Sequence, residues 1–301
     1  MTTSDAPRWG ADSETAPLRE VLLCAPDYFV WTPEGNTVSK EVAADRAKAF
    51  DLDRAKREHR DLEAVLAREG VTIRRLAPIA SQASQTFTRD SSVMTPWGAV
   101  ICQMRADFRR GEYAAVIDYF QGNGVPIWKM ITDGSLEGGD VHVAKPGQLL
   151  VGFSGTRTTE AGALQLKEWF GAKGWSTRLI YFDPHFLHLD LLFCMVSDDT
   201  AILCTDVLAP EKVDEIVNFL AIRNVVRSTY RQAINLVGNV LSLGNRKVVI
   251  HKHPENAGIV KQLAALGFTA IEVDLSMFVL DGGGPHCLTM GLRRDMSAAP
   301  G

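Results

Sequence analysis

The same short pattern recurs five times along this chain. A polar residue opens two apolar, strand-like runs joined by a tight turn. An amphipathic helix follows, is stopped by Gly or Asn, and gives way to a third apolar run. The openings fall at Asp90, Asp140, Asp190, Asn239 and Cys287, with spacings of 50, 50, 49 and 48 residues. Regular periods of this length indicate radial or stacked repeats. The unit opening at Asp90 is the clearest: SSVM and AVICQM flank a TPWG turn, RRGEYAAVIDYFQGNG reads as a helix closed by glycine, and VPIWKMI reads as a buried strand. The unit opening at Cys287 runs out of chain after CLTMGLR. It has to be completed from the other end, by LREVLLCAP, the helix DLDRAKREHRDLEAVLAREG and the strand VTIRRLAP.

These units predict an α/β fold of one specific kind: a five-bladed α/β propeller built from five ββαβ modules around a pseudo-fivefold axis. An ordinary open α/β sheet also fits alternating strands and helices. Ring closure has the advantage of leaving no open sheet edge. The whole chain, 1–301, reads as a single catalytic domain. Residues 1–16 read as a flexible arm, and residues 25–50, which fit no module, as a lid loop.

Composition narrows the partners. Apolar residues make up 46% of the 301 and charged residues 23%, as in soluble globular proteins. Lys and Arg number 32 against 36 Asp and Glu, a net charge of −4, so neither a nucleic acid nor an anionic membrane is the expected partner. No run of about 18 apolar residues is available to span a bilayer, and MTTSDAPRWGADSETA lacks the apolar core of a secretory signal. A cytoplasmic location is expected, and homo-oligomerisation is left open. Five cysteines cannot all pair within one chain. Cys24, Cys102, Cys194 and Cys204 lie in apolar strand-like runs and read as inert core residues. Cys287, after three glycines and beside a histidine, is the one set for reactivity.

In a closed repeat the module openings converge near the axis. The segments there are FTRD (87–90), LEGGD (136–140), HLD (188–190), NLVGN (235–239) and GGGPHC (282–287). They bring together a thiol, an imidazole and the carboxylates of Asp90, Glu137, Asp140 and Asp190. Clustered carboxylates require a cation among them: a protein Arg or Lys, a metal, or the substrate. Cys287 is the candidate nucleophile and His188 the candidate general acid/base. The HxxH at 185–188 and the HxH at 251–253 lack a matching cysteine pair for zinc. No metal or organic cofactor is expected.

FTRD, EGGD, HLD and GGGPHC, in that order, resemble the guanidino-group-modifying enzymes: arginine deiminase, dimethylarginine dimethylaminohydrolase, agmatine deiminase and the amidinotransferases. The resemblance runs from LREVLL to CLTMGLRR, is closest to the arginine deiminase type, and implies the five-bladed α/β propeller. It also implies residue roles. Cys287 corresponds to the nucleophile, His188 to the general acid/base and Glu137 to the acid that orients it. Asp90 and Asp190 correspond to carboxylates that hold the guanidinium. Asp140 fixes its loop. RRGE makes Arg109, and SGTRTT makes Arg157, a clamp for the substrate carboxylate. The implied activity is cysteine-dependent hydrolysis at the guanidino carbon of arginine or an arginine-like small molecule through an S-alkylthiouronium intermediate. The alternative is transfer of the amidino group to an acceptor amine. Arginine deiminases carry asparagine where this chain has Ser84, and SGTRTT is one residue longer than their motif.

Overall fold

A computed structural model describes residues 9–32 and 49–297. Its strands form five separate three-stranded sheets rather than one open sheet. The first is β1 (Leu18–Cys24), flanked by β2 (Thr72–Leu76) and β15 (Met290–Arg294). The others follow in chain order: β3–β5 (Ser92–Thr95, Gly98–Ile101, Ile127–Met130), β6–β8 (Val141–Lys145, Gln148–Phe153, Ser176–Tyr181), β9–β11 (Phe193–Ser197, Thr200–Cys204, Asn224–Ser228) and β12–β14 (Leu241–Gly244, Lys247–His251, Thr269–Val273). In each, an antiparallel pair is joined by a third strand parallel to the middle one.

A parallel return needs a crossover, and each module supplies a helix for it. These are α1 (Leu52–Arg68), α2 (Glu112–Asn123), α3 (Glu160–Gly171), α4 (Pro210–Phe219) and α6 (Ala257–Ala265); α5 (Tyr230–Ala233) and α7 (Ser276–Val279) are single turns. Local chemistry sets their ends. Asp51 accepts from the Arg54 N–H and Thr159 from that of Gly162, each capping an N-terminus. Pro210 occupies the first turn of α4. Gly124 closes α2 at φ 66°, a left-handed position that glycine occupies without strain.

The central strands are apolar and buried on both faces, as GAVI of β4 shows. Five apolar clusters fill the spaces between successive modules. One joins Val93 and Val100 to Val141, Leu149 and Phe170. Another joins Leu241 and Val249 to Val21, Leu23 and Leu62, linking the β12–β14 module to the one that holds both ends of the chain.

The module openings are tied by hydrogen bonds as well. Arg89 N–H donates to the Cys287 carbonyl (3.2 Å), Gly138 N–H to the Asp90 carbonyl (3.0 Å), and Leu189 N–H to Asp140 Oδ1 (2.8 Å). A Cβ on Gly238 would lie 2.5 Å from the Leu191 carbonyl oxygen, and Asn239 Oδ1 accepts from the N–H groups of Gly284, His286 and Cys287.

One expectation is revised. Residues 9–16, read as part of a flexible arm, are instead packed: Trp9 and residues 10–14 are buried, Gly10 bridges β15, and Glu14 N–H bonds the Val143 carbonyl. Composition misses this because the segment is polar, and its polar groups are satisfied inside the molecule. Residues 1–8 lie outside the described residues. So do residues 33–48, most of the expected lid. In the flanking piece 25–32, Phe29 is buried against Phe87 and Phe278 and the Trp31 indole donates to the Leu280 carbonyl, while Tyr28 and Val30 are exposed. Among the described residues no helix is long and apolar enough to cross a membrane.

Candidate active site

The module openings deliver their side chains to one place. His188 precedes the turn Leu189–Leu191 and Asp190 lies within it, and Glu137 precedes the turn Gly138–Asp140. Gly139 lets the imidazole approach, since a Cβ there would lie 2.6 Å from His188 Nδ1. His188 Nε2 bonds Glu137 Oε2 at 2.9 Å, and Nδ1 lies 3.7 Å from Asp90 Oδ1 with no hydrogen-bond partner. Cys287 Sγ lies 3.4 Å from Asp190 Oδ2 and 3.0 Å from Asn239 Nδ2. Asp190 Oδ1 is buried and unpartnered.

A pocket with about 340 Å³ of free space reaches this point from solvent. Cys287, Asp90, Ser84, Arg109, Arg157 and Asp281 are among its walls. His188, Asp190 and Glu137 sit behind it, fully buried.

The cation required among the carboxylates is supplied by the chain itself. Arg109 Nη1 bonds Asp90 Oδ2 at 2.7 Å, and its Nε and Nη2 grip Glu112, each at 2.9 Å. Arg157 Nη1 lies 3.2 Å from Glu137 Oε2. Both arginines reach the pocket wall, but their guanidinium groups engage protein carboxylates here. The picture of two arginines held ready for a substrate carboxylate therefore has to be modified. Glu112, at the start of α2, was the missing piece, and its place three residues after Arg109 in the same RRGE segment was the available signal.

Burial and charge set the protonation states. Burial depresses the His188 imidazole, but Asp90, Asp140 and Glu137 outweigh it and lift it to about 9. Burial pushes the Glu137 carboxyl up, yet Arg157, His188 and Arg109 hold it well below its ordinary value. Asp190 is likewise held low despite burial, mainly by His286. Burial raises Asp140 to about 7. The Cys287 thiol is pushed far up by burial and by Asp190 and Asp90. At neutral pH this site holds a neutral thiol beside an imidazolium, with ionised Asp190 and Glu137.

Among the described residues, two sets of side chains each bring their ligand atoms within 4.8 Å of one another: Asp90, Glu137 and His188, and Glu14, His142 and His286. In the first the carboxylates are already neutralised by Arg109 and Arg157. His251 and His253 have other duties: His251 Nδ1 accepts from Leu275 N–H, and His253 caps Glu255. Sequence reasoning assigned no role to Asn239, whose amide anchors the GGGPHC turn. It did not find Glu14, His142 or His286 either.

Comparison with known proteins gives this geometry a family. The model for N,N-dimethylarginine dimethylhydrolase, eukaryotic, matches residues 25–294. The chain belongs to that family. It is thus a member of the guanidino-modifying superfamily, as its motifs had indicated. Among curated relatives, an uncharacterized protein of Bacillus subtilis, YkgA, is 29% identical over 94% of both chains. The N(G),N(G)-dimethylarginine dimethylaminohydrolase of Mycobacterium tuberculosis is 24% identical over 95% of this chain and 90% of its own. The bifunctional arginine dihydrolase/ornithine cyclodeaminase AgrE of Nostoc is 24% identical over 89% of this chain but only 37% of its own length. Among solved structures, the N-terminal domain of the arginine dihydrolase ArgZ superposes with a TM-score of 0.77 at 20% identity, covering 90% of this chain and 97% of that one. An amidinotransferase, SxtG of Microseira wollei, superposes at 0.79 and 15% identity, covering 96% and 98%. The family members among these relatives are guanidino-group hydrolases, and this chain shares their fold.

Proposed function

We propose that this protein is a cysteine-dependent hydrolase acting on the guanidino carbon of arginine or an arginine-like compound. One observation carries the reading. Cys287 Sγ, the unpartnered His188 Nδ1 and the unpartnered Asp190 Oδ1 belong to one buried cluster at the inner end of an open pocket. They are a nucleophile, a proton carrier and an acceptor for guanidinium N–H groups. We further infer that the five modules form a closed five-bladed propeller, because the five apolar clusters link each module to the next and the openings are tied in sequence.

A guanidinium is planar, cationic and resonance-stabilised, so its carbon resists attack. Asp190 and Asp90 pair with its N–H groups and orient the carbon toward sulfur. Asp90 shares its charge with Arg109 while doing so. The incoming cation offsets the carboxylates that hold the thiol neutral, so binding itself promotes the thiolate. The thiol proton is released to solvent through the pocket, and sulfur attacks, forming the S–C bond and a tetrahedral adduct. His188, steadied by Glu137, protonates the departing amine, and the C–N bond breaks to leave a thiouronium on Cys287. Water then attacks with its proton taken by His188. The C–S bond breaks, and the ureido product leaves with the thiol restored. No step requires a cofactor.

The direct test is intact-mass analysis of the enzyme during turnover of arginine analogues, with ammonia and alkylamine assayed in parallel. The reading predicts a transient adduct on Cys287 and amine release without any added acceptor. Amine-acceptor dependence would instead establish the amidinotransferase alternative, which shares the covalent half-reaction. No adduct and no turnover across the panel would overturn both.

A further inference from the structure

Behind the reactive sulfur, on the side away from the pocket, the structure holds a second set of ionisable groups that the mechanism does not use. The segment 9–17 threads between three modules: Gly10 exchanges backbone hydrogen bonds with Leu292 and Arg294, Glu14 N–H bonds Val143, and Thr15 Oγ1 donates to Asp198. It delivers Glu14 into the interior. Glu14 Oε2 lies 3.0 Å from His142 Nδ1, and Oε1 lies 3.7 Å from His286 Nε2. The other nitrogen of that ring, His286 Nδ1, bonds Asp190 Oδ2 at 2.9 Å, the same oxygen that lies 3.4 Å from Cys287 Sγ. His142 stacks on His286 with ring planes 14° apart. All these side chains are buried. The family match begins at residue 25, so Glu14 precedes the matched span.

His286 lies between two carboxylates, one facing each ring nitrogen, so Glu14 and Asp190 together fix how the ring is turned. We propose that Glu14 is a positioning residue for this active site: it fixes the orientation of His286, and through that ring the Asp190 carboxylate that lies against the Cys287 sulfur. The inference rests on the hydrolase reading for its purpose, but the coupling itself is a property of the residues. The other charged or titratable groups facing the relay are Arg89, 3.6 Å from Glu14 Oε1, together with Arg294, Cys194, His188 and Asp140; Asp90 also faces the sulfur. Arg89 beside Glu14 also argues against a dication in the Glu14–His142–His286 cluster.

The sign of the effect follows. Glu14→Gln keeps the volume and removes one negative charge from behind the sulfur. The thiolate becomes easier to form, and Asp190 attracts a guanidinium less. His286→Gln removes the ring that bonds the Asp190 carboxylate and acts in the opposite sense on the sulfur. The experiment measures the rate of Cys287 alkylation by iodoacetamide from pH 6 to 9, mapped by peptide mass, with and without methylguanidine as a protecting ligand. A shift of half a pKa unit is a factor of about three in rate at fixed pH. Glu14→Gln is expected to react at least about threefold faster than the parent at pH 7 and to need several-fold more methylguanidine for equal protection. Glu14→Asp should fall between, and His286→Gln should react about threefold slower. Ser13→Ala, which loosens the same segment without touching its charge, should match the parent. Alkylation rates unmoved in both relay variants, or moved equally by Ser13→Ala, would overturn the proposal, as would stoichiometric zinc in the parent that is lost in Glu14→Gln. If either relay variant fails to fold, the sign in the other decides. If methylguanidine protects none of the proteins, the hydrolase reading fails while the alkylation rates still test the coupling.

Discussion

Cys287 is neutral at rest, so its chemistry depends on what enters the pocket. Cys287→Ala should abolish turnover, with thermal stability close to the parent. Asp90→Asn should do two kinds of damage, since Asp90 both faces the pocket and bonds Arg109. We expect on the order of a hundredfold loss in kcat/KM, carried largely by KM, because a charge-assisted pair to the guanidinium is removed. An unchanged KM would remove Asp90 from substrate binding. His188 gives a pH signature. Its value near 9, against an ordinary 6.5, means that its charge contributes fully to stability below about pH 6.5 and that this contribution is lost as pH climbs through 9. The melting temperature should therefore fall over that window, and His188→Gln should flatten the fall. The check is a thermal melt series from pH 6 to 9.5 on both proteins. Which residues meet at the site was legible at this scale wherever a residue opens a module. Arg109 was read as a substrate clamp because the RRGE motif does not say which group its own glutamate holds; Glu112, three residues on, bonds the guanidinium. Glu14 was illegible because nothing in DSETA announces that a polar stretch will be buried.

At the scale of elements, glycines at two openings are required by close approach rather than by turn geometry. Gly139→Ala would drive a methyl group into the His188 ring. We expect a fall in kcat of at least about a hundredfold from the displaced imidazole, with a stability loss of about 1–3 kcal/mol. Steady-state kinetics beside a urea melt would separate the two effects, and near-normal kcat would mean that His188 is not held as described. The helix ends were readable because caps are local: Pro210, Gly124 and Thr159 stop or start their helices by side-chain or backbone chemistry that needs no tertiary partner. Aromatic packing was not readable. Phe170 touches Trp97, Trp128 and Trp175, residues drawn from two modules, and no spacing in the sequence pairs them. Phe170→Ala should cost about 3–5 kcal/mol, seen as a lower urea midpoint with the pocket chemistry retained in the folded fraction.

For the whole molecule, the period near 50 residues was the decisive clue because a repeat forces neighbours to share cores. Each apolar cluster is built from two successive modules, so no module carries a complete interior of its own. What the period could not convey is which segment crosses the middle. Residues 9–17 tie β15, β6 and the turn after β9, and the arrangement follows from backbone groups finding partners rather than from any pattern in the letters. Unfolding should therefore be a single cooperative event. Coincident loss of tryptophan fluorescence and far-ultraviolet circular dichroism would show it, whereas separated transitions would mean that modules unfold independently.

The sheet that unites β15 with β1 also sets a timetable for biosynthesis. The nucleophile lies three residues ahead of a strand whose partner, β1, is translated before the four intervening sheets. The reactive thiol consequently gains its full set of histidine and carboxylate neighbours only after those sheets are made and β15 can pair with β1. A nascent or truncated polypeptide carries the cysteine without the surroundings that would arm it.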